Sequence, residues 1–227
     1  MQIKIPYTPR RHQAHLHKQI SRYRWNVLVC HRRFGKTVCM INHLIRSALL
    51  SKQKNPRFAY IAPTFKQAKS IAWDYMKQFT AKIPHTKFNE TELRVDLPNG
   101  SRITLLGSEN SDGLRGIYLD GCVIDEYANV NERLFPEIIR PALSDRKGYC
   151  VFIGTPQGMN NNFYELYQHA QGAEDWFNYK AKASDTKIVD NEELVKAKEV
   201  MGEKKYLQEF ECDWIANIEG AIYAAIK

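Results

Sequence analysis

No apolar run in this 227-residue sequence approaches the ~18–20 residues that a membrane span requires. The first residues, MQIKIPYTPRRHQ, lack the apolar stretch of a secretory signal. These absences set the expectation of a cytosolic protein with no membrane partner. Cysteine is sparse: Cys30, Cys39, Cys122, Cys150 and Cys212 form no C-x-x-C pair. Cys39, Cys122 and Cys150 lie in apolar runs, where a free thiol acts as a small core residue. A structural disulfide or zinc site is therefore not expected. His12, His15 and His17 cluster without a cysteine or carboxylate at ligand spacing, and are read as an exposed face of the first helix. Repeats and low-complexity segments are also missing. What is present is the balance of an ordinary globular protein, 44% hydrophobic and 26% charged. The length suits one sizeable domain with a small subdomain. The net charge of +8 favours a polyanionic partner, nucleic acid first, although many basic proteins bind none.

Strand and helix signals alternate along the chain. WNVLVC (25–30), RFAYIAP (57–63), CVIDE (122–126) and YCVFIGTP (149–156) read as buried strands, with WFNYKAKA (176–183) as a further one. Helices are expected over 11–22, 36–50, 65–82 and 190–210. On the third of these, Ala68, Ile71, Ala72, Tyr75 and Phe79 share one face. ELRVDLPNGSRITLLG (92–107) reads as a hairpin turning at Asn99-Gly100. Short, continuously apolar strands between helices predict an α/β fold with a mainly parallel sheet covered on both faces. Ligands bind at the carboxyl ends of such strands. Three candidate motifs (35–37, 125–126 and 154–156) each follow a predicted strand.

The first is VLVCHRRFGKTVCM (27–40). A regular phosphate loop reads G-x-x-x-x-G-K-[ST]. Here Cys30 takes the place of the first glycine, and Arg32 and Arg33 fill the loop. Backbone N–H groups at a helix N-terminus after a strand form an anion site. Gly35 lets the backbone approach a phosphate, Lys36 reaches the β- and γ-phosphates, and the Thr37 hydroxyl binds Mg²⁺. G-K-T alone is a common accident; its position between strand and helix gives it weight. In CVIDE, Asp125 is expected to hold Mg²⁺ through water, and Glu126 to orient and polarise an attacking water. The bland alternative is a pair of solvated carboxylates capping a strand. Hydrolysis is the expected reaction class, because no site for a substrate hydroxyl is visible. Thr155, after the strand at 149–154, can sense the γ-phosphate and pass on its loss; alone it reads as a strand–turn. Arg32, Arg33 and Arg115, the last in SDGLRGIYLDG (111–121), can supply charge to a γ-phosphate, worth ~10³–10⁵ in rate. Any single arginine is more often a solvated surface residue.

CHRRFGKT, VIDEYANV and FIGTPQGMNNNFYELY, in this order, resemble the ATPase domain of large terminase subunits, the motors that pump DNA into the capsids of tailed bacteriophages and herpesviruses. The resemblance covers roughly residues 7–215. It implies a P-loop NTPase fold of the ASCE type, with a central, mainly parallel sheet flanked by helices. It also implies a helical lid subdomain over about 185–215 with the N-terminal segment, and a linker at 216–227 leading to a C-terminal nuclease that the sequence lacks. No nuclease activity is expected of these residues. Phosphate loops of the family often lack the first glycine and carry an early arginine, so Cys30 fits. Arg32 matches that arginine, with Arg33 beside it at the nucleotide. Lys36 and Thr37 match the phosphate and Mg²⁺ ligands, and Asp125 and Glu126 the metal-binding and catalytic acids. Thr155 falls in the coupling motif. Arg115 resembles the arginine that some members offer to the ATP of an adjacent subunit. Gln13, in YTPRRHQAHL, resembles a glutamine that reads adenine; a solvated helix residue is the alternative. The implied function is Mg-ATP hydrolysis coupled to translocation of double-stranded DNA in the host cytoplasm. The implied partners are the portal protein, the small terminase subunit and further copies of the chain, as a pentameric ring on the procapsid, with a monomer possible in isolation. Two rivals remain at this point. One is a helicase-like translocase, which FAYIAPTFKQAKSIAW (58–73) also resembles. The other is a basic nucleic-acid-binding module with an incidental G-K-T.

Overall fold

The computed structural model describes residues 5–216. The described chain runs through α1 (Arg11–Ile20), β1 (Trp25–Cys30), α2 (Lys36–Leu50) and β2 (Arg57–Ala62). Next come α3 (Phe65–Ala68), a π-helical turn (Lys69–Trp73), α4 (Asp74–Thr80), β3 (Lys87–Asn89), β4 (Arg94–Asp96) and β5 (Arg102–Gly107). Then follow β6 (Gly121–Asp125), the short α5 (Arg140–Ala142), β7 (Tyr149–Gly154), α6 (Asn162–Gly172) and β8 (Trp176–Ala181). The last described helices are α7 (Ala183–Thr186), α8 (Asn191–Met201) and α9 (Glu203–Phe210).

The strands form one sheet in the order β3-β4-β5-β2-β6-β7-β1-β8. From β5 to β8 every neighbour pairs in parallel; β4 and β3 join the edge antiparallel. Alternate side chains of β1 explain its unbroken apolar sequence. Leu28 and Cys30 enter the core beneath α1 and α2, with Leu16, Leu44 and Tyr60. Val27 and Val29 enter the opposite core, with Phe152, Phe163 and Leu134. Neither face of the strand meets water. The helices α7 to α9 enclose a small core of their own, built on Ala183, Leu194 and Phe210.

The described fold corrects several local expectations. The helix expected over 65–82 is interrupted by the π-helical turn. One extra residue per turn shifts the phase of the apolar face, so Trp73 and Met76 point inward while Ile71 and Tyr75 come to the surface. The helix expected over 190–210 breaks at Gly202, whose φ of +78° separates α8 from α9. The linker expected at 216–227 lies, apart from Ala216, outside the described residues. All five cysteines are buried and free.

Of the three histidines of α1 expected on an exposed face, His15 is exposed, whereas His12 and His17 are half-buried. His12 Nδ1 lies 2.6 Å from the Tyr179 hydroxyl. His17 bridges the Tyr7 hydroxyl (2.9 Å) and His43 Nδ1 (3.1 Å), stacking on the His43 ring. Burial, with Arg46 nearby, lowers the pKa of His17 to about 4 and that of His43 to about 3. An unfolded imidazole takes its proton near pH 6.5. The unfolded chain therefore binds more protons below that pH, and stability is lost as pH falls from about 6.5 toward 4. Two imidazoles held neutral down to pH 4.5 give an expected loss on the order of 5 kcal/mol, read as a shift in the urea midpoint. His43→Leu is expected to remove about half of the dependence, His17 carrying the rest; an equally steep one in that variant would assign the loss to other groups.

Candidate nucleotide-binding site

β1, β6 and β7 are neighbours in the sheet, and each delivers one motif to the same edge. Between β1 and α2 the chain turns through two left-handed residues, Arg33 (φ +71°) and Gly35 (φ +86°). A Cβ on Gly35 would also meet Gln13 Nε2 at 3.0 Å, so glycine is favoured there by its backbone conformation and by the close approach of Gln13. Two residues near the start of the described chain brace the loop. Arg10 Nη1 donates to Phe34 O (3.4 Å), and Gln13 Nε2 donates to Gly35 O (3.3 Å). Gln13 Oε1 accepts from Arg10 N (3.0 Å), so the buried Gln13 amide is engaged at both ends.

Lys36 opens α2 and points at the ends of the other two strands. Its Nζ donates to Thr155 Oγ1 (3.0 Å) and Cys30 O (3.4 Å), and lies 4.0 Å from Glu126 Oε1. Thr155, itself buried, also donates to Cys30 O (3.3 Å). Cys30 thus contributes its carbonyl, while burial keeps its thiol protonated. Asp125 closes β6 and is buried; its Oδ1 accepts the Glu126 N–H at 2.9 Å and its Oδ2 accepts the Tyr60 hydroxyl. Glu126 has φ +47°, a left-handed conformation that costs energy in a non-glycine residue and turns the carboxylate into the cleft. Burial raises the pKa of both acids; Lys36 opposes the rise in both, and Asp125 adds to it at Glu126.

Of these groups, Lys36 and Glu126 border a cavity of about 600 Å³, within the range of small-ligand sites, while Asp125 and Thr155 lie outside its lining. Arg33, Gly35, Lys36, Thr37 and Glu126 line one side; Ser70, Ile71, Asp74 and Tyr75 line the other. The π-helical turn therefore serves the site by presenting its surface residues to the phosphate loop. Arg33 is the loop arginine in the lining; Arg32 is exposed, and its N–H donates to Glu209 O (2.7 Å) on α9. Arg115 lies outside the lining, half-exposed, with Nη2 3.5 Å from Glu137 Oε2. A second cavity of about 710 Å³, between α1 and α2, contains no phosphate-loop residue.

Sequence reasoning missed Tyr60, Arg10 and the α3–α4 wall. Tyr60 carries a weak signal, a hydroxyl inside an otherwise apolar strand. The donors available to a metal are the Thr37 hydroxyl and the Asp125 carboxylate, hard oxygen ligands that suit Mg²⁺ when phosphates complete its shell. Among the described residues no cluster of three histidines, cysteines or acids could hold a metal alone.

A glycine-lysine-threonine loop after one buried strand, an acidic pair at the end of a second and a buried threonine after a third are the arrangement of an α/β P-loop NTPase fold. The family described as "Terminase large subunit, T4likevirus-type, N-terminal" matches residues 29–227. The chain belongs to the terminase large subunit family. It is 29% identical over 126 residues to the terminase large subunit of Thermus phage G20c, covering 47% of this chain and 26% of that protein. The matched stretch thus spans about a quarter of that relative's length. The ATPase domain of the Thermus phage P74-26 large terminase shares the fold with a TM-score of 0.78 at 22% identity, over 93% of this chain and 96% of that one. The large terminase of another thermophilic bacteriophage, in complex with ADP, does so with 0.78 at 16%, over 90% and 53%. This membership disfavours both the helicase-like reading and the incidental G-K-T.

Proposed function

We propose that this chain hydrolyses Mg-ATP and that, in the assembled motor, hydrolysis drives double-stranded DNA into a procapsid. The observation that carries the reading is the convergence of Lys36, Asp125, Glu126 and Thr155 at the ends of three adjacent strands. The loop N–H groups, Lys36 and Arg33 hold the β- and γ-phosphates. Glu126 orients water and accepts its proton as the water oxygen bonds to the γ-phosphorus. The bond from phosphorus to the bridging oxygen breaks, leaving ADP and phosphate. Burial raises the pKa of Glu126 and so makes it a stronger base. Thr37 and Asp125, the latter through water, are the residues that would hold Mg²⁺, which when bound neutralises charge on the phosphates.

Thr155 is the coupling residue in this reading. The carbonyl of Pro156, the next residue, accepts from Gln208 Nε2 (2.6 Å) on α9, and the adjacent Glu209 O accepts from Arg32. A change in the partner of Thr155 therefore has a short path to the helices α7–α9, which we assign as the lid. Arg32 acts in this route through its backbone. Gln13 adjoins the loop at Gly35, and reading adenine would require its amide to exchange partners. The portal protein, the small subunit and a ring of copies in the host cytoplasm complete the proposal.

The test is Mg²⁺-dependent ATP turnover by this chain, with DNA binding followed across a salt series. Contact through phosphates gives affinity that falls steeply with salt and ignores sequence. No turnover, alone or with DNA and procapsids, would sink the motor reading. Arg115 is assigned to the nucleotide of a neighbouring subunit. Arg115→Ala is expected to lower turnover of the assembled motor by ~10³ or more and to leave a confirmed monomer unchanged. An equal loss in the monomer would place it in cis.

A further inference from the structure

Tyr60 is a fully buried residue of β2, directly beside β6 in the sheet. Its register partner is Val123, so its side chain lies on the α2 face. Asp125, two residues beyond Val123, faces the same way because side chains alternate along a strand. The phenol reaches along the sheet and donates to Asp125 Oδ2. The Thr37 side chain lies close enough to act on the same phenol oxygen. With Glu126 N on Oδ1, each oxygen of the Asp125 carboxylate has one internal donor that fixes its plane. Hydrocarbon would fill this strand position at no cost, whereas a phenol must find partners when buried. The side chains beside it belong to the two residues that supply metal ligands.

We propose that Tyr60 is a positioning residue that aligns the Asp125 carboxylate and the Thr37 hydroxyl, and so sets the affinity of the nucleotide site for Mg²⁺. This rests on the nucleotide-site reading above. Groups that orient metal ligands from behind typically contribute 10–100-fold to metal affinity. Tyr60→Phe keeps the ring and removes only the hydroxyl.

The experiment is binding of ADP to wild type and Tyr60→Phe, in EDTA and across a Mg²⁺ titration, with a thermal melt of each protein. The expected result is ADP affinity within about twofold in EDTA and a Mg²⁺ half-saturation raised ~10–100-fold in the variant. In an Asp125→Asn background the same substitution should shift the half-saturation little, because the two act as a unit. An unchanged half-saturation overturns the proposal, including where the melting temperature falls, since that outcome is packing alone. Equal shifts with and without Asp125 overturn it as well. If wild-type ADP binding shows no Mg²⁺ dependence, the nucleotide-site reading itself fails; if wild type responds and Tyr60→Phe matches it, only the role of Tyr60 fails.

Discussion

Glu126→Gln is expected to bind ATP within a few-fold of wild type and to hydrolyse it ~10²–10⁴-fold more slowly, the usual contribution of a positioned general base. The substitution is nearly isosteric, so the left-handed turn at residue 126 and the Glu126 N–H to Asp125 bond are kept. What is lost is the ability to accept a proton. The wild-type rate should also fall on the acid side at a higher pH than an ordinary carboxylate would give. Burial, reinforced by Asp125, raises the Glu126 pKa against the opposing pull of Lys36, and the protonated form cannot act as a base. Single-turnover hydrolysis with saturating ATP separates the chemical step from binding. Turnover above a tenth of wild type would remove Glu126 from the catalytic role and turn attention to Asp125 or to a chain of waters.

The parts of this reading that were legible in the sequence are those fixed by local pattern. β1, β6 and β7 are short apolar runs buried on both faces, and each ends in polar residues with few other uses at that position. The hairpin of β4 and β5 was legible for a similar reason, an Asn-Gly turn between alternating apolar residues. Features set by contacts distant in sequence were not legible. β3 is three polar or exposed residues that become a strand only because β4 offers an edge. The π-helical turn leaves the apolar count of its segment unchanged and alters only the phase, so a 3.6-residue period hides it. His17 looked solvent-facing on its own helix, and only α2 supplies the ring that buries it. Tyr60 and Asp125 are 65 residues apart, joined by strand order alone. Positive φ at Arg33 and Glu126 had no residue-type signal, since neither is glycine or asparagine.

Lys36→Ala is expected to cost more than one hydrogen bond. Nζ is the cation placed among Thr155 Oγ1, Cys30 O and Glu126 Oε1. A hydrogen bond from a charged donor contributes ~1.5–3 kcal/mol, or about 10–150-fold in affinity, to whatever phosphate it holds. The second loss is electrostatic. Lys36 opposes the rise in pKa that burial imposes on both Asp125 and Glu126. Without it both acids shift further up, and the fraction of Glu126 able to take a proton at neutral pH falls. The two losses have different pH behaviour. Affinity lost with the ammonium does not return, but turnover lost through protonation of Glu126 returns as pH is raised. The variant should therefore show weak ATP binding at every pH, together with a rate at saturating ATP that climbs with pH beyond the point where wild type is flat. Lys36→Arg should not restore the site, because a forked, planar guanidinium does not fit between Thr155 and Glu126 as a compact ammonium does. A Lys36→Ala protein whose rate at saturating ATP stays parallel to wild type across pH would show that Lys36 only binds phosphate and leaves the acids untouched.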